Sequence, residues 1–375
     1  MVAMSARPVG VVSHPTPLPQ NPYQRLLYDA LTPHGFRIED DGDFKLGWLV
    51  RNRRRVRVIH FHWPWPYIVH LPDPGGLLSW VKCIVFGLRL LAARALGYVV
   101  VWTVHEVRPL YPAHPRVEAL GARMLARASS LLIANDRDTA ERARSELGRS
   151  ADRIEVVPHP SFESAYPPGR PRAEVRAELG IPDDAFVTLL FGHVSPYKRI
   201  EWAIDAFRAG APDNSFLVVA GLVMDETVGD AVRAAAAADE RIKAQLGFVP
   251  DDQVAELYGM ADVALCPRQD GGTSGVVILA FSLGVPVIAA RVPNYEEVTR
   301  GETAAWLFEP GDAGSLARAL SAAAADPAAV DRKGEAGRQI VAPLTWEATG
   351  SRTAALLEAA LPAPRWRRAP VAEGV

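Results

Sequence analysis

A chain of 375 residues, 49% hydrophobic and 22% charged, is long enough for a large buried core and excludes a disordered or fibrous protein. Its formal net charge of −2 excludes a global field that would recruit nucleic acid. The two cysteines, Cys83 and Cys266, have no CxxC partner; this argues against a disulfide framework or a zinc site and suits a reducing cytoplasm. Residues 1–20, MVAMSARPVGVVSHPTPLPQ, hold no apolar run of signal-peptide length.

In chain order, VGVVSH reads as an opening strand, and PYQRLLYDALTPHG as a helix with Asn21 as N-cap and Pro22 at its first position. RNRRRVR then places five arginines between Arg51 and Arg57, followed by the strand VRVIHFHW. GGLLSWVKCIVFGLRLLAARALG is an apolar helix of roughly 30 Å, interrupted by Lys82, Arg89 and Arg94, which argue against a lipid span. Two readings stay open for this region: a buried helix beside a solvated basic turn, or a surface resting on anionic lipid. The strand YVVVWTVHE, a helix near 117–128, the strand SSLLIAND, a helix to Leu147 and the strand RIEVVPHP complete the first half.

The proline-rich passage from Pro158 to Arg172 reads as an interdomain linker. Beyond it come the strand, loop and helix of GIPDDAFVTLLFGHVSPYKRIEWAIDAF, the strand SFLVVAG, an alanine-rich helix, RIKAQLGFVP, the helix DDQVAELYGMA and the strand DVALCP. VPVIAA, NYEEV, the strand TAAWLFEP and helices through Leu361 follow. Short β-branched runs alternating with helices predict an α/β fold, two doubly wound domains on parallel sheets facing across a cleft. The expected boundaries are 1–160, 161–345, a helix at 346–361 crossing back to the first domain, and a disordered tail at 362–375. Ligands should then meet the loops that follow strands: those at His14, His62, His105, His193–Lys198, Gly221 and Arg268–Gly275.

The stretch GGTSGVVILAFSLGVPVIAA brings glycines and hydroxyls to a helix start, where unpaired N–H groups and partial positive charge suit phosphate. Gly271, Gly272 and Gly275 allow close backbone approach, and Thr273 and Ser274 add donors. Taken alone, the stretch is better explained as an N-capped helix after a flexible turn.

FGHVSPYKRIEWAIDAF, LGFVPDDQVAELYGMADVALCP and LAFSLGVPVIAARVPNYEEV, in this order and spacing, resemble the GT-B glycosyltransferases of the family 4-like group. HFHWP and WTVHEVRPLYP resemble the bacterial exopolysaccharide enzymes within it. The resemblance implies two Rossmann-like domains, the second for the donor and the first for the acceptor. It implies a hexosyltransferase moving sugar from a nucleotide-diphosphate sugar to a saccharide or lipid-linked saccharide, with retention, without cofactor or metal, in polysaccharide biosynthesis. Lys198 falls at the family's diphosphate-binding lysine, His193 at its arginine, with Arg199 or Arg268 as replacements; Thr273, Ser274 and Gly275 would add backbone donors. Asp270, Gly271, Gly272, Glu296 and Glu297 fall at donor sugar or nucleotide positions. The family's paired glutamates are replaced by Gly271 and Leu279. His105 matches the histidine at the donor sugar, with Glu106 to position the acceptor or act as base, and Asn21, His62 and Trp63 are expected at the acceptor. The arginine cluster 51–57 and the helix at 76–96 extend the expected partners to an anionic membrane surface, with the protein on the inner face. A nucleotide-sugar epimerase and a non-catalytic binding homologue are the alternatives; no nucleic acid is expected.

Overall fold

The computed structural model describes residues 8–17, 22–39, 42–163, 165–269 and 275–362. The chain forms two compact units. One holds the chain to Asn135, Ala140–Val157 and the chain from Trp346; the other holds Asp136–Thr139 and Pro158–Thr345. The chain thus passes between units after Val157 rather than after residue 160.

The first unit is built on six parallel strands: β1 (Val9–His14), β2 (Phe36–Ile38), β3 (Val56–Phe61), β4 (Val99–Val104), β5 (Leu131–Ala134) and β6 (Ile154–Val156). Their order is β2-β1-β3-β4-β5-β6. Strands covered on both faces need apolar side chains at every position. β4, VVVWTV, is buried along its whole length. Helices α1 (Pro22–Leu31), α2 (Leu46–Asn52), α3 (Trp65–Ile68), α4 (Leu77–Ala95), α5 (Pro115–Ala128) and α6 (Arg137–Leu147) cover the sheet. α4 packs on α5 closely enough that a Cβ on Gly87 would lie 2.8 Å from Met124 Sδ.

The second unit repeats the plan with α7 (Arg172–Glu178), β7 (Phe186–Phe191), α8 (Ile200–Gly210), β8 (Ser215–Gly221), α9 (Glu226–Ala238), β9 (Ile242–Leu246), α10 (Asp251–Met260) and β10 (Val263–Cys266). It continues through α11 (Gly275–Ser282), β11 (Val287–Ala290), α12 (Pro293–Thr299), β12 (Ala305–Phe308), α13 (Ala313–Ala325) and α14 (Pro327–Val341). The strand order is β12-β11-β10-β7-β8-β9, again parallel. The last helix, α15 (Trp346–Ala360), belongs to the first unit, where Ala354 and Leu357 join the core with Val11, Tyr23 and Leu27.

Four short elements, β2, α2, α3 and α7, were not legible as periodic segments. Arg51 lies in the last turn of α2 and Arg57 on β3, so the expected basic turn narrows to residues 53–55. The linker reading ends where α7 begins at Arg172. Within α7 the fully buried Arg176 donates to the carbonyls of Met260 (2.9 Å), Asp183 (2.7 Å) and Ala185 (2.9 Å) and to Asp262 Oδ2 (2.9 Å). A buried guanidinium is tolerable because its donors are occupied, and it ties α7 to the rest of its unit.

Candidate functional site

In doubly wound sheets, ligands bind beyond the carboxyl ends of the strands where the order reverses. In the first unit β2 and β3 flank β1 on opposite sides, so this point lies at the ends of β1 and β3. His14 closes β1 and His62 follows β3, its N–H donating to the His14 carbonyl (2.8 Å). His105 follows the adjacent β4. Trp63 stacks on His105 with ring centroids 4.4 Å apart and planes at 14°, while Tyr23 meets it edge-on at 5.1 Å. Glu106 is fixed by the indole N–H of Trp65, which donates to its Oε1 at 2.7 Å. Gln24 of α1 holds the loop after β1 by donating to Ser13 Oγ (2.8 Å) and the Pro15 carbonyl (2.9 Å).

Beneath His105 runs a continuous side-chain chain. Thr103 Oγ1 meets His60 Nε2 (2.8 Å), His60 Nδ1 meets Tyr28 OH (3.1 Å), Tyr28 OH meets His62 Nε2 (3.0 Å), and His62 Nδ1 meets His105 Nε2 (3.0 Å). Burial pushes His60 down to about 3 and His14 to about 4. Burial, then the neighbouring His60 and His105, hold His62 well below the ordinary imidazole range. These three rings are therefore neutral at pH 7, each with one N–H. Tyr28 has one proton and touches two ring nitrogens, so it donates to one and accepts from the other. That choice fixes the tautomer of His62 and hence whether His105 Nε2 donates or accepts. His62 is 1% exposed with both nitrogens engaged, which corrects its expected place at the acceptor: it supports His105 from below. Asn21 lies outside the described residues.

In the second unit β8 and β10 flank β7 on opposite sides, so the reversal lies between the ends of β7 and β10. β7 runs into Gly192, whose φ of 113° suits glycine. His193 follows, exposed, and Lys198 ends a short 3₁₀ turn over 196–198. A Cβ on Gly192 would lie 3.4 Å from Lys198 Nζ and 3.7 Å from Val276 Cγ2, so the ammonium sits beside the first turn of α11. Its charge also acts on the buried Cys266 thiol at the end of β10, which burial pushes up to about 12. The Arg268 guanidinium lies over the Tyr197 ring at 5.3 Å, and Lys198 Nζ lies over the same ring at 5.8 Å. Partial desolvation, then the Lys198 charge, hold His193 below the ordinary imidazole range. His159 packs against the start of α11, its Nε2 3.8 Å from a Cβ built on Gly275. Its Nδ1–H donates to the Pro160 carbonyl (2.8 Å), leaving Nε2 as acceptor, and burial lowers it to about 4. Asp270, Gly271, Gly272, Thr273 and Ser274 lie outside the described residues.

The family described as Glycosyl transferases group 1 matches residues 171–340, the stretch that carries β7, Lys198, β10 and α11. The fold agrees. Sucrose-phosphate synthase from Thermosynechococcus elongatus superimposes with a TM-score of 0.74 at 18% identity, covering 94% of this chain and 99% of that one. Anabaena HepE, in complex with UDP and glucose, gives 0.72 at 18% identity over 94% and 100%. Residues 171–340 therefore carry a group 1 glycosyl transferase domain, and the chain has the GT-B fold. Among sequence relatives of this group, the D-inositol 3-phosphate glycosyltransferase of Streptomyces avermitilis is 27% identical over 297 residues, 74% of this chain but 64% of that protein. The 2-deoxystreptamine glucosyltransferase of Streptomyces kanamyceticus is 28% identical over 268 residues, 67% and 68%.

Not every expected residue joins the two strand-end clusters. Arg199 adopts a left-handed conformation (φ 53°) and lies over Trp202 at 5.3 Å, leaving Arg268 as the guanidinium that shares Tyr197 with Lys198. Glu296 is held by Arg291, which also binds Glu302 and Glu309 (both 2.9 Å). Glu297 accepts from the Arg137 backbone N–H of the same unit (3.2 Å), and desolvation raises its carboxyl. Leu279 is 4% exposed in the core, a place for an aliphatic side chain. Tyr28 and His159 were not marked by the sequence, because one acts through a partner distant in the chain and the other lies on an unmarked loop.

Proposed function

We propose that this chain transfers a hexosyl group from a nucleotide-diphosphate sugar to a saccharide or lipid-linked saccharide, with retention of configuration and with no metal taking part. The observation that carries the reading is the Lys198 ammonium beside Gly192 and the first turn of α11, at the strand reversal and within the group 1 match. In transfer the bond from the anomeric carbon to the diphosphate oxygen breaks and a bond to the acceptor oxygen forms. Negative charge grows on the departing diphosphate, where a fixed cation lowers the barrier. Lys198 and Arg268 supply that charge, and residues 273–275 offer backbone N–H groups to the phosphates. His105 hydrogen-bonds the sugar, and Glu106 orients the acceptor hydroxyl or receives its proton. Glu296 and Glu297, occupied by arginine partners, have no part in this reading, and Trp63 keeps His105 in place by stacking.

Cytoplasmic nucleotide sugars would feed this reaction, and a saccharide product places it in polysaccharide assembly at the inner membrane face. The test is a panel of nucleotide sugars, with UDP-glucose first because HepE has been solved with it. Nucleotide release is followed with and without saccharide acceptors and with EDTA, and the product anomer is read by NMR. Acceptor-dependent release that survives EDTA and yields a retained anomer is expected. An isomerised nucleotide sugar formed without acceptor would make the chain an epimerase, and absence of any turnover would make it a binding homologue.

A further inference from the structure

α4 buries one face and leaves a second apolar face uncovered. Its inner residues Cys83, Phe86, Leu90 and Ala93 join the core. Its outer residues Leu77, Val81, Ile84, Leu88 and Leu91 are each between 53 and 71% exposed. Their spacings of four, three, four and three residues align them in one stripe of about 21 Å. α2 packs against α4 and adds the exposed Leu46 and Val50. An apolar stripe of this length on an otherwise well-packed helix marks a surface that meets a partner. No described helix is long and apolar enough to cross a membrane.

Charge identifies the partner. Residues 44–105 contain nine Lys and Arg side chains and one acidic residue, Asp73, although the whole chain carries −2. Asp73 is engaged internally, accepting the Ser79 backbone N–H at 2.7 Å. Arg55 is paired with Glu39 (2.7 Å), but Arg51, Arg53, Arg54 and Arg57 are exposed and form no ion pair among the described residues. Arg53 and Arg55 lie close enough to act on the Tyr98 phenol, three residues beyond α4, and Arg94 lies in the last turn of that helix. Cations therefore gather at the C-terminal end of the stripe.

We propose that this face seats the protein on an anionic bilayer, with the α4 stripe in the acyl–headgroup boundary and the arginines on lipid phosphates. A second copy fits less well, because a two-fold contact through the same patch would set this cationic region against itself. The inference deepens the lipid-linked reading of the acceptor and rests on it only for its purpose; the surface stands on its own geometry.

The test is flotation of the full chain with phosphatidylcholine vesicles, with and without phosphatidylglycerol. The protein is expected to float with the anionic vesicles and to be released by high salt. The pair Ile84→Gln and Leu88→Gln, at exposed positions that leave the core intact, should weaken binding by roughly a hundred-fold. The pair Arg53→Glu and Arg54→Glu should remove the preference for phosphatidylglycerol. No flotation of the wild type, or undiminished flotation of the glutamine pair, would overturn the proposal. A dimer in sedimentation that the glutamine pair dissociates would also overturn it and give the face to a second copy. Nucleotide release with a water-soluble acceptor, read in the same samples, separates failure of this surface from failure of the sugar-transfer reading.

Discussion

At the carboxyl edge of the first sheet, His62 and His105 are placed by side chains: Tyr28 links His62 to the buried His60, His62 meets His105, and Trp63 and Tyr23 lie against His105. At the corresponding edge of the second sheet, the parts are backbone and charge: a glycine at φ 113°, a short 3₁₀ turn, a lysine and the start of a helix. The first edge is costly to assemble, because neutral rings must be buried with every hydrogen bond in register. It returns rigidity and a defined tautomer. The second needs little burial and presents cations to whatever enters. Under the proposed function the first edge would orient neutral hydroxyls and the second would hold an anion, the division of labour a sugar transfer requires.

The contrast breaks most sharply at the lysine. Lys198→Ala is expected to lower turnover by roughly 10²–10³ while leaving the unfolding midpoint nearly unchanged, with Lys198→Arg recovering part of the loss. An equal loss of stability would show that Lys198 is a structural residue. The next effect is on the first edge and follows from proton linkage. His14 and His60 titrate near 4 and 3 when folded but near 6.5 when unfolded, and His62 is lowered too. Below 6.5 the unfolded chain binds more protons, so stability is full above that value and is lost as the pH falls toward 4 and 3. Each such imidazole contributes about 1.4 kcal/mol per pH unit across its window. Urea unfolding at several pH values checks this, and a flat profile would contradict the buried neutral cluster.

The smallest expected effect separates placement from packing. Tyr28→Phe keeps the ring but removes the proton that links His60 to His62, costing about 1–3 kcal/mol of stability. The tautomer of His105 should then become mixed, as ¹⁵N shifts of its ring nitrogens would report, and the acidic limb of the turnover profile should move. Donor affinity should stay constant. A stability change with an unaltered His105 spectrum would reduce the chain to core packing.

Legibility in the sequence follows the same division. The alternating pattern made both parallel sheets readable, since β-branched runs such as VVVWTV and SFLVVAG fit strands buried on both faces. The second edge was legible because its parts are local: Gly192, Pro196 and Lys198 lie within one loop. The first edge was legible in the rings that follow its strands, His62, Trp63 and His105, but not in what joins them. His105 stood out after its strand, but Tyr28 lies 34 residues from His62 and looks from sequence like any buried position of α1. α7 was hidden because Arg176 reads as a surface cation until Asp262 and three carbonyls are seen around it. Loss of the family's second glutamate was visible, yet only the structure shows Leu279 fully committed to the core.

The most direct test of the central claim is a ligand-induced thermal shift of wild type and Lys198→Ala with UDP, GDP, ADP, TDP and their common sugar conjugates. One nucleotide should raise the wild-type melting temperature, its sugar conjugate should do so as well, and both shifts should collapse in Lys198→Ala. A nucleotide that stabilises both proteins equally would place the diphosphate away from Lys198, and no shift with any nucleotide on folded wild type would contradict a donor site in the second unit.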